Sequence, residues 1–319
     1  MISVVIPCFN EEESIPLFYK EMEKTRIKMN EHFEYIFIND GSSDNTLAVL
    51  KELNQKDVNA HYLSFSRNFG KEAALYAGLK HSTGDYITVM DADLQDPPEL
   101  LPKMLNILQT EDYDCVGTRR KDRKGEPPLR SIFSKGFYFL MNKISQTEMI
   151  DGVRDYRLMT RQMVDAILEI SEYNRFSKGI FSWVGFKTKY LSFENKERIA
   201  GNTSWSFWSL FKYSIEGIIN FSEAPLMIAS FVGFLFFVVA IIMILFIITR
   251  TLIFGDPTSG WPSMISIVLL ASGLQLFCLG IVGKYIGKIF LETKNRPIYI
   301  LKETDRNILK KDVSEESRK

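Results

Sequence analysis

Residues 89–101 read VMDADLQDPPELL. Three carboxylates and an amide, Asp91, Asp93, Asp96 and Gln95, follow directly on an apolar run. Like charges this close repel, so either a cation is held there or the stretch is a solvated acidic turn. The apolar run belongs to a series. ISVVIP, EYIFIND, AHYLSFS and DYITVMD recur along residues 2–91, with a weaker DCVGT after them. Each is short and rich in β-branched or aromatic residues, as strands are. Helical stretches lie between them, over 12–30, 43–56, 70–81 and 97–111. This rhythm predicts an α/β domain with a parallel sheet covered on both faces. Ligands bind such sheets at the carboxyl ends of strands. Asn10 and Glu11, Asp40, Arg67 and Asn68, Asp91 and Asp93, and Arg119 and Arg120 follow five successive runs, which predicts a site on that edge.

Alternate side chains of an extended chain share a face. If residues 91–95 stay extended, Asp91, Asp93 and Gln95 present three oxygens to one side. Hard oxygen donors suit Mg²⁺ or Mn²⁺ rather than zinc. Asp96 reads differently. DPPE places it as a helix cap, with Pro97 at the first helical position and Glu99 three residues on. In FINDGSSD, Asp40 precedes a glycine turn and is expected to lie free on the same edge. Ser42 or Ser43 is expected to cap the next helix.

The chain has 319 residues, with 39 Lys plus Arg against 39 Asp plus Glu. That balance gives no reason to expect a nucleic-acid partner. Cys8, Cys115 and Cys278 show no paired or metal-ligand spacing and read as reduced thiols. MISVVIP is too short for a signal-peptide core and lacks a basic start, so it reads as a first strand. Neither a G-x-G-x-x-G after that strand nor a Walker A loop occurs.

Two stretches, 226–249 and 261–283, carry no charge. Each is long enough as a helix to cross a hydrocarbon core of about 30 Å. The 24 phenylalanines, many in the C-terminal half, point the same way. Lys284, Lys288, Lys294 and Arg296 follow the second stretch and Lys212 precedes the first, while the connector carries Arg250 offset by Asp256. The positive-inside rule then predicts a multi-pass protein of the cell membrane with both termini cytoplasmic. The expected organisation is a catalytic domain over 1–203, an interfacial segment over 204–224, two membrane helices within 225–284 and a cytoplasmic tail over 285–319, whose end, KETDRNILKKDVSEESRK (302–319), reads as polar and frayed. Aromatic, basic helices near 128–146 and over 204–221 suit the membrane interface, or else the domain core.

VVIPCFNEEESI, FINDGSSDNT, SFSRNFGKEAAL, GDYITVMDADLQDPPE and DYRLMTR together resemble glycosyltransferase family 2. Within it they resemble the polyprenyl-phosphate hexosyltransferases, including dolichyl-phosphate mannose synthase-like enzymes and bactoprenol glucosyl transferases. The resemblance implies a GT-A, Rossmann-like sheet domain followed by interfacial helices and a two-helix transmembrane hairpin. It implies that Pro7, Asn10 and Glu11 lie along the donor nucleotide and that Asp40 faces the base. Asp91, Asp93 and Gln95 match the D-x-D-x-Q pattern that holds Mg²⁺ or Mn²⁺. Lys71 is either a donor contact or an exposed lysine in a helix's first turn. Asp155 stands at the family's acidic position, where it acts as a base, orients Arg157 and the acceptor, or forms a structural salt bridge. Arg198 and Ser204, in ERIAGNTSW, match the segment that closes over the donor phosphates; Trp205 stands where many relatives have lysine.

A phosphate monoester is nearly dianionic at neutral pH, with a second pKa of about 6, and needs no strong base to attack. It needs positioning and relief of repulsion from the donor diphosphate, for which arginine forks are suited. Arg119 and Arg130 match the family's acceptor arginines. The whole predicts an inverting, metal-dependent transfer of glucose or N-acetylglucosamine from a UDP-sugar to undecaprenyl phosphate, for decoration of cell-envelope glycans. Asp93, Asp155 and Arg198 are the catalytic candidates, and the resemblance extends to a homo-tetramer. Two alternatives stand beside it. A processive polysaccharide synthase would carry Q-x-x-R-W, which is missing, and more spans. A non-catalytic nucleotide-sugar-binding membrane scaffold would need neither the metal set nor both arginines.

Overall fold

A computed structural model describes residues 1–120, 152–193, 219, 222, 224–254 and 260–306. Arg130, Arg198, Ser204, Trp205, the helix expected near 128–146, that over 204–221 apart from residue 219, and residues 307–319 lie outside this set.

Four apolar runs form strands β1 (Ile2–Cys8), β2 (Phe33–Asn39), β3 (Ala60–Phe65) and β4 (Tyr86–Val89), paired in parallel in the order β4-β1-β2-β3. They read as unbroken apolar runs because both faces are covered. Val4, Ile6, Tyr35 and Phe37 pack on one face with Phe18 and Met22 of α1 (Ser14–Met29) and Met104 of α4 (Leu101–Thr110). Val5, Ile36 and Ile38 pack on the other with Ala74 and Ala77 of α3 (Lys71–His81). Helix α2 (Thr46–Lys56) joins β2 to β3. The helical spans agree with the sequence reading to within a few residues, and the free, buried Cys8 and Cys115 agree with reduced thiols.

The sheet differs from an all-parallel one. Among the described residues it has eight strands in the order β7-β5-β6-β4-β1-β2-β3-β8. Strand β6 (Val153–Thr160) runs antiparallel between β4 and β5 (Cys115–Arg120), and β7 (Thr188–Phe193) lies parallel to β5. Arg157 thereby pairs with both Val89 and Gly117, and Val153 with Arg119. The start of β6 thus sits on the carboxyl edge, between the ends of β4 and β5. Helix α5 (Arg161–Glu169) follows β6, its first turn capped by Thr160 Oγ1 accepting from Met163 N. Helix α6 is Ser177–Trp183.

The two uncharged stretches form long helices, α7 (Ala224–Phe254) and α8 (Trp261–Thr293). Over their most apolar windows only 6% and 0% of residues are buried, so these helices present apolar side chains outward. Helix α8 runs past the expected end at 283. Its Tyr285 hydroxyl donates to Ser222 O (2.7 Å), and its Glu292 carboxylate accepts from the Tyr173 and Asn174 amides (3.0 Å each).

The polar tail is corrected in part. Residues Leu301–Thr304 form β8, antiparallel to β3 at the sheet edge. Tyr299 stacks on Phe65 at 5.1 Å between ring centroids. Asp305 accepts from His61, the Tyr62 amide (2.8 Å) and Asn54 (3.2 Å), while Arg306 pairs with buried Glu34 (2.7 Å). A polar sequence is ordered here because Glu303, Asp305 and Arg306 each meet partners on or beside the sheet.

Candidate active site

The loops after β1 and β2 are stitched together. Asn10, in a left-handed conformation (φ 56°), accepts from Ser43 N through its side-chain oxygen (2.9 Å), and its amide donates to Ser42 Oγ (3.0 Å). Glu11 N donates to Thr46 Oγ1 (2.9 Å). The expected caps are corrected: Ser42 faces Asn10, and Asp44 Oδ1 accepts from Thr46 N (3.0 Å) at the start of α2. Pro7, Asn10 and Glu11 do share one rim, but Asn10 is engaged in holding it together.

Asp40 is also corrected. It is 4% exposed, and its two oxygens accept from the Phe69 and Gly70 amides at 2.7 and 2.9 Å. Burial raises its pKa, and those two amides counter part of the rise. The carboxylate therefore shapes the RNFG loop that leads into α3. Gly41 (φ 66°) allows that loop to sit close: a Cβ there would lie 2.4 Å from the Arg67 carbonyl carbon.

The acidic stretch is not extended. The chain turns at Ala92–Asp93, and Leu94 adopts φ 58° before the short 3₁₀ turn Pro98–Leu100. The three oxygens are therefore disposed by a turn rather than by strand alternation. Asp93 is 5% exposed, and its Oδ1 accepts from Gln95 N at 3.1 Å. The capping role of Asp96 is corrected too. Its side chain is 1% exposed and pairs with Arg154 Nε at 3.1 Å. Burial lifts its pKa to about 6 against the pull of Arg154. The same guanidinium donates to Gln95 Oε1 at 3.2 Å.

Lys71 is not an isolated surface lysine. Its ammonium lies 2.7 and 3.0 Å from the two oxygens of Asp91 and 2.7 Å from Asp155. Burial opposes the Lys71 charge, but Asp155 and Asp91 outweigh it and hold the pKa above the ordinary lysine value. Burial likewise opposes the Asp155 charge, but Lys71, Lys178 and Arg157 together outweigh it, so this carboxylate sits well below the usual range. The contact with Lys71 is the salt bridge that the sequence offered as one reading of Asp155. The carboxylate does not orient Arg157, which donates to the backbone oxygens of Asp155 (3.3 Å) and Arg154 (3.2 Å) and lies 3.7 Å over the Phe181 ring.

Sequence reasoning missed Arg154. The signal was present in GVRDYRLMTR, a strand with charges at 154, 155 and 157. Strand alternation sends Arg154 and Tyr156 to one face and Asp155 and Arg157 to the other. Buried charges in a strand need partners on each face. Arg119, at the end of β5, is exposed, and its Nε donates to Ser192 Oγ at 3.3 Å. It lies two strand spacings from β4, about 10 Å across the same edge.

The donor chemistry fits a hard divalent ion. Asp91, Asp93 and Gln95 supply two carboxylates and an amide oxygen, and Lys71 shows that Asp91 already attracts a cation. Among the described residues no cluster of three or more His, Cys, Asp or Glu forms a protein-only cage. Water or phosphate oxygens would complete such a shell, as is usual for Mg²⁺.

The model for glycosyl transferase family 2 matches residues 3–168. The putative glycosyltransferase CsbB of Bacillus subtilis (strain 168) is 43% identical over 315 residues, which is 99% of this chain and 94% of that one. The chain belongs to glycosyl transferase family 2. It is an enzyme of the glycosyltransferase class, with a mixed α/β sheet of the GT-A type. The prophage bactoprenol glucosyl transferase homolog of Escherichia coli (strain K12) is 43% identical over 305 residues, covering 96% of this chain and 99% of that one. Mannosyl-3-phosphoglycerate synthase from Rubrobacter xylanophilus aligns with 68% of this chain and 71% of its own, at a TM-score of 0.48 and 16% identity.

Proposed function

We propose that the protein transfers glucose from UDP-glucose to undecaprenyl phosphate at the cytoplasmic face of a membrane, with inversion and with Mg²⁺ or Mn²⁺. The observation that carries the acceptor is near-full-length identity of 41–43% to several bactoprenol glucosyl transferases and a homolog of one. The same relatives favour glucose over N-acetylglucosamine and an enzyme over a scaffold.

In this reading Pro7, Asn10 and Glu11 line the nucleotide, and Asp91, Asp93 and Gln95 hold the metal. A divalent ion there supplies charge neutralisation to the departing diphosphate. The acceptor phosphate is already an anion, so no proton has to be removed, and Asp155 serves as a positioning residue through Lys71. Arg119 and Arg130 hold the acceptor phosphate. Arg198 and Ser204 close on the donor.

Helices α7 and α8 form the membrane hairpin. Support comes from the sheet: β7 precedes the hairpin, β8 follows it, and both are strands of one sheet. Two crossings return the chain to the side it left, in agreement with cytoplasmic termini.

The test uses the full chain in detergent with undecaprenyl phosphate, Mg²⁺ and labelled UDP-glucose, UDP-N-acetylglucosamine and GDP-mannose. Label from UDP-glucose is expected in the lipid extract, and a chelator is expected to abolish it. Transfer from another donor alone, or transfer undiminished by the chelator, overturns the corresponding part.

A further inference from the structure

Lys71 and Arg154 share one arrangement. Each cation lies between an expected metal ligand and an acid outside the ligand set. Lys71 joins Asp91 to Asp155, both at 2.7 Å. Arg154 joins Gln95 to Asp96, at 3.2 and 3.1 Å. Arg154 and Asp155 are neighbours on β6, so one strand end supplies a member of each group. Both oxygens of Asp91 face the Lys71 ammonium, so a metal ion has to displace Lys71 from at least one of them.

We propose that Lys71 and Arg154 are built-in placeholders for the divalent ion: they hold Asp91 and Gln95 while it is absent and release them when it arrives with the donor diphosphate. This rests on the metal-dependent reading above. Clustered acids without a cation repel one another, and the two side chains relieve that repulsion. On exchange neither cation is stranded, because Asp155 and Asp96 remain as partners. The incoming diphosphate offers the displaced Lys71 a further anion. Metal alone has to break both contacts uncompensated, whereas with nucleotide the diphosphate offsets the loss at Lys71. Metal and nucleotide therefore bind with positive, reciprocal coupling. The arrangement disfavours a metal-loaded site without a donor.

The test is calorimetric titration of the full chain with Mn²⁺, with and without saturating UDP. Wild type is expected to bind Mn²⁺ weakly alone and more tightly with UDP. The double variant Lys71→Met with Asp155→Asn removes the placeholder without leaving Asp155 as an unpaired anion or a new carboxylate ligand. It is expected to bind Mn²⁺ alone about tenfold tighter, a change of one decade in Kd, and to gain less from UDP. Arg154→Met with Asp96→Asn probes the second placeholder in the same way, so the idea does not depend on one variant folding. Lys71→Arg, which keeps the cation, is expected to retain the wild-type value. If neither double variant binds Mn²⁺ more tightly than wild type, the proposal is overturned. Should wild type take up no Mn²⁺ even with UDP, the metal-dependent reading falls with it; uptake by wild type without any gain in the variants sinks the placeholders alone.

Discussion

Two parts of the sheet are rich in ion pairs, and they differ in how the pairs are shared. On the rim between β4 and β6, one cation serves two anionic or polar partners, and the Lys71 and Asp91 side chains remain 38% and 28% exposed. Around β8 and the residues that follow it, from the β3 edge to Glu34 on β2, one acid collects several donors. Asp305 takes His61, Asn54 and the Tyr62 amide, and Glu34 takes Ser3, Thr83 and Arg306. A saturated acid has nothing left to offer a ligand and holds structure. A shared, partly exposed cation can turn from one partner to another. Substitutions on the rim should therefore change chemistry and spare the fold, and substitutions on the edge should do the reverse.

The largest effect is expected from Asp93→Ala, with transfer reduced by at least about 100-fold, in the range seen when a group stabilising developing charge is lost. Its melting temperature should stay close to wild type; a fall as large as that of the edge variants would erase the distinction. Ending the chain before Leu301 removes β8 and leaves β3 as a bare edge. Thermal unfolding should then show a loss of several kcal/mol, since buried Glu34 also loses Arg306. A smaller loss, about 1–3 kcal/mol, is expected for Asp305→Ala, which strands the Tyr62 amide, with transfer by the folded fraction unchanged. Lys51→Ala breaks an exposed pair with Glu303 (2.6 Å) and should cost less than about 0.5 kcal/mol.

Acid sharpens the same contrast. Burial alone would raise the pKa values of Glu34 and Asp305. Hydrogen bonds from Ser3, Thr83 and Arg306 to Glu34, and from His61 and the Tyr62 amide to Asp305, hold both below the ordinary values instead. With folded values depressed, their contribution is complete above the unfolded pKa and is lost as pH falls through the folded one. The edge should stay closed from neutral pH down to about pH 4 and open below it. Hydrogen exchange of the 301–304 amides against pH reads this directly; opening already at pH 6 would contradict it.

Much of the fold was legible because it is written in local pattern. The unbroken apolar runs gave β1 to β4, and uncharged stretches gave α7 and α8. Strand β6 and its antiparallel placement were not legible, because its charges interrupt the apolar pattern and their partners lie on other elements. Strand β8 was hidden for a related reason. LKETDR looks like solvated chain, and its order comes from contacts such as that of Asp305 with His61, 244 residues away. At the site, residue types and edge were readable while hydrogen-bond partners were not. Asp40 and Asp91 each end a strand run and precede a turn, yet one meets backbone amides and the other a lysine. The extended geometry assumed for residues 91–95 failed because the chain has to reverse direction before Pro98.

Strand β8 also sets an order of assembly. Its partner β3 is complete by Phe65, but the residues that cover it emerge from the ribosome only after both long helices. In the proposed membrane topology, those helices must insert before the outer strand can dock. A half-made chain thus carries an open flank that closes only once the anchor is in place.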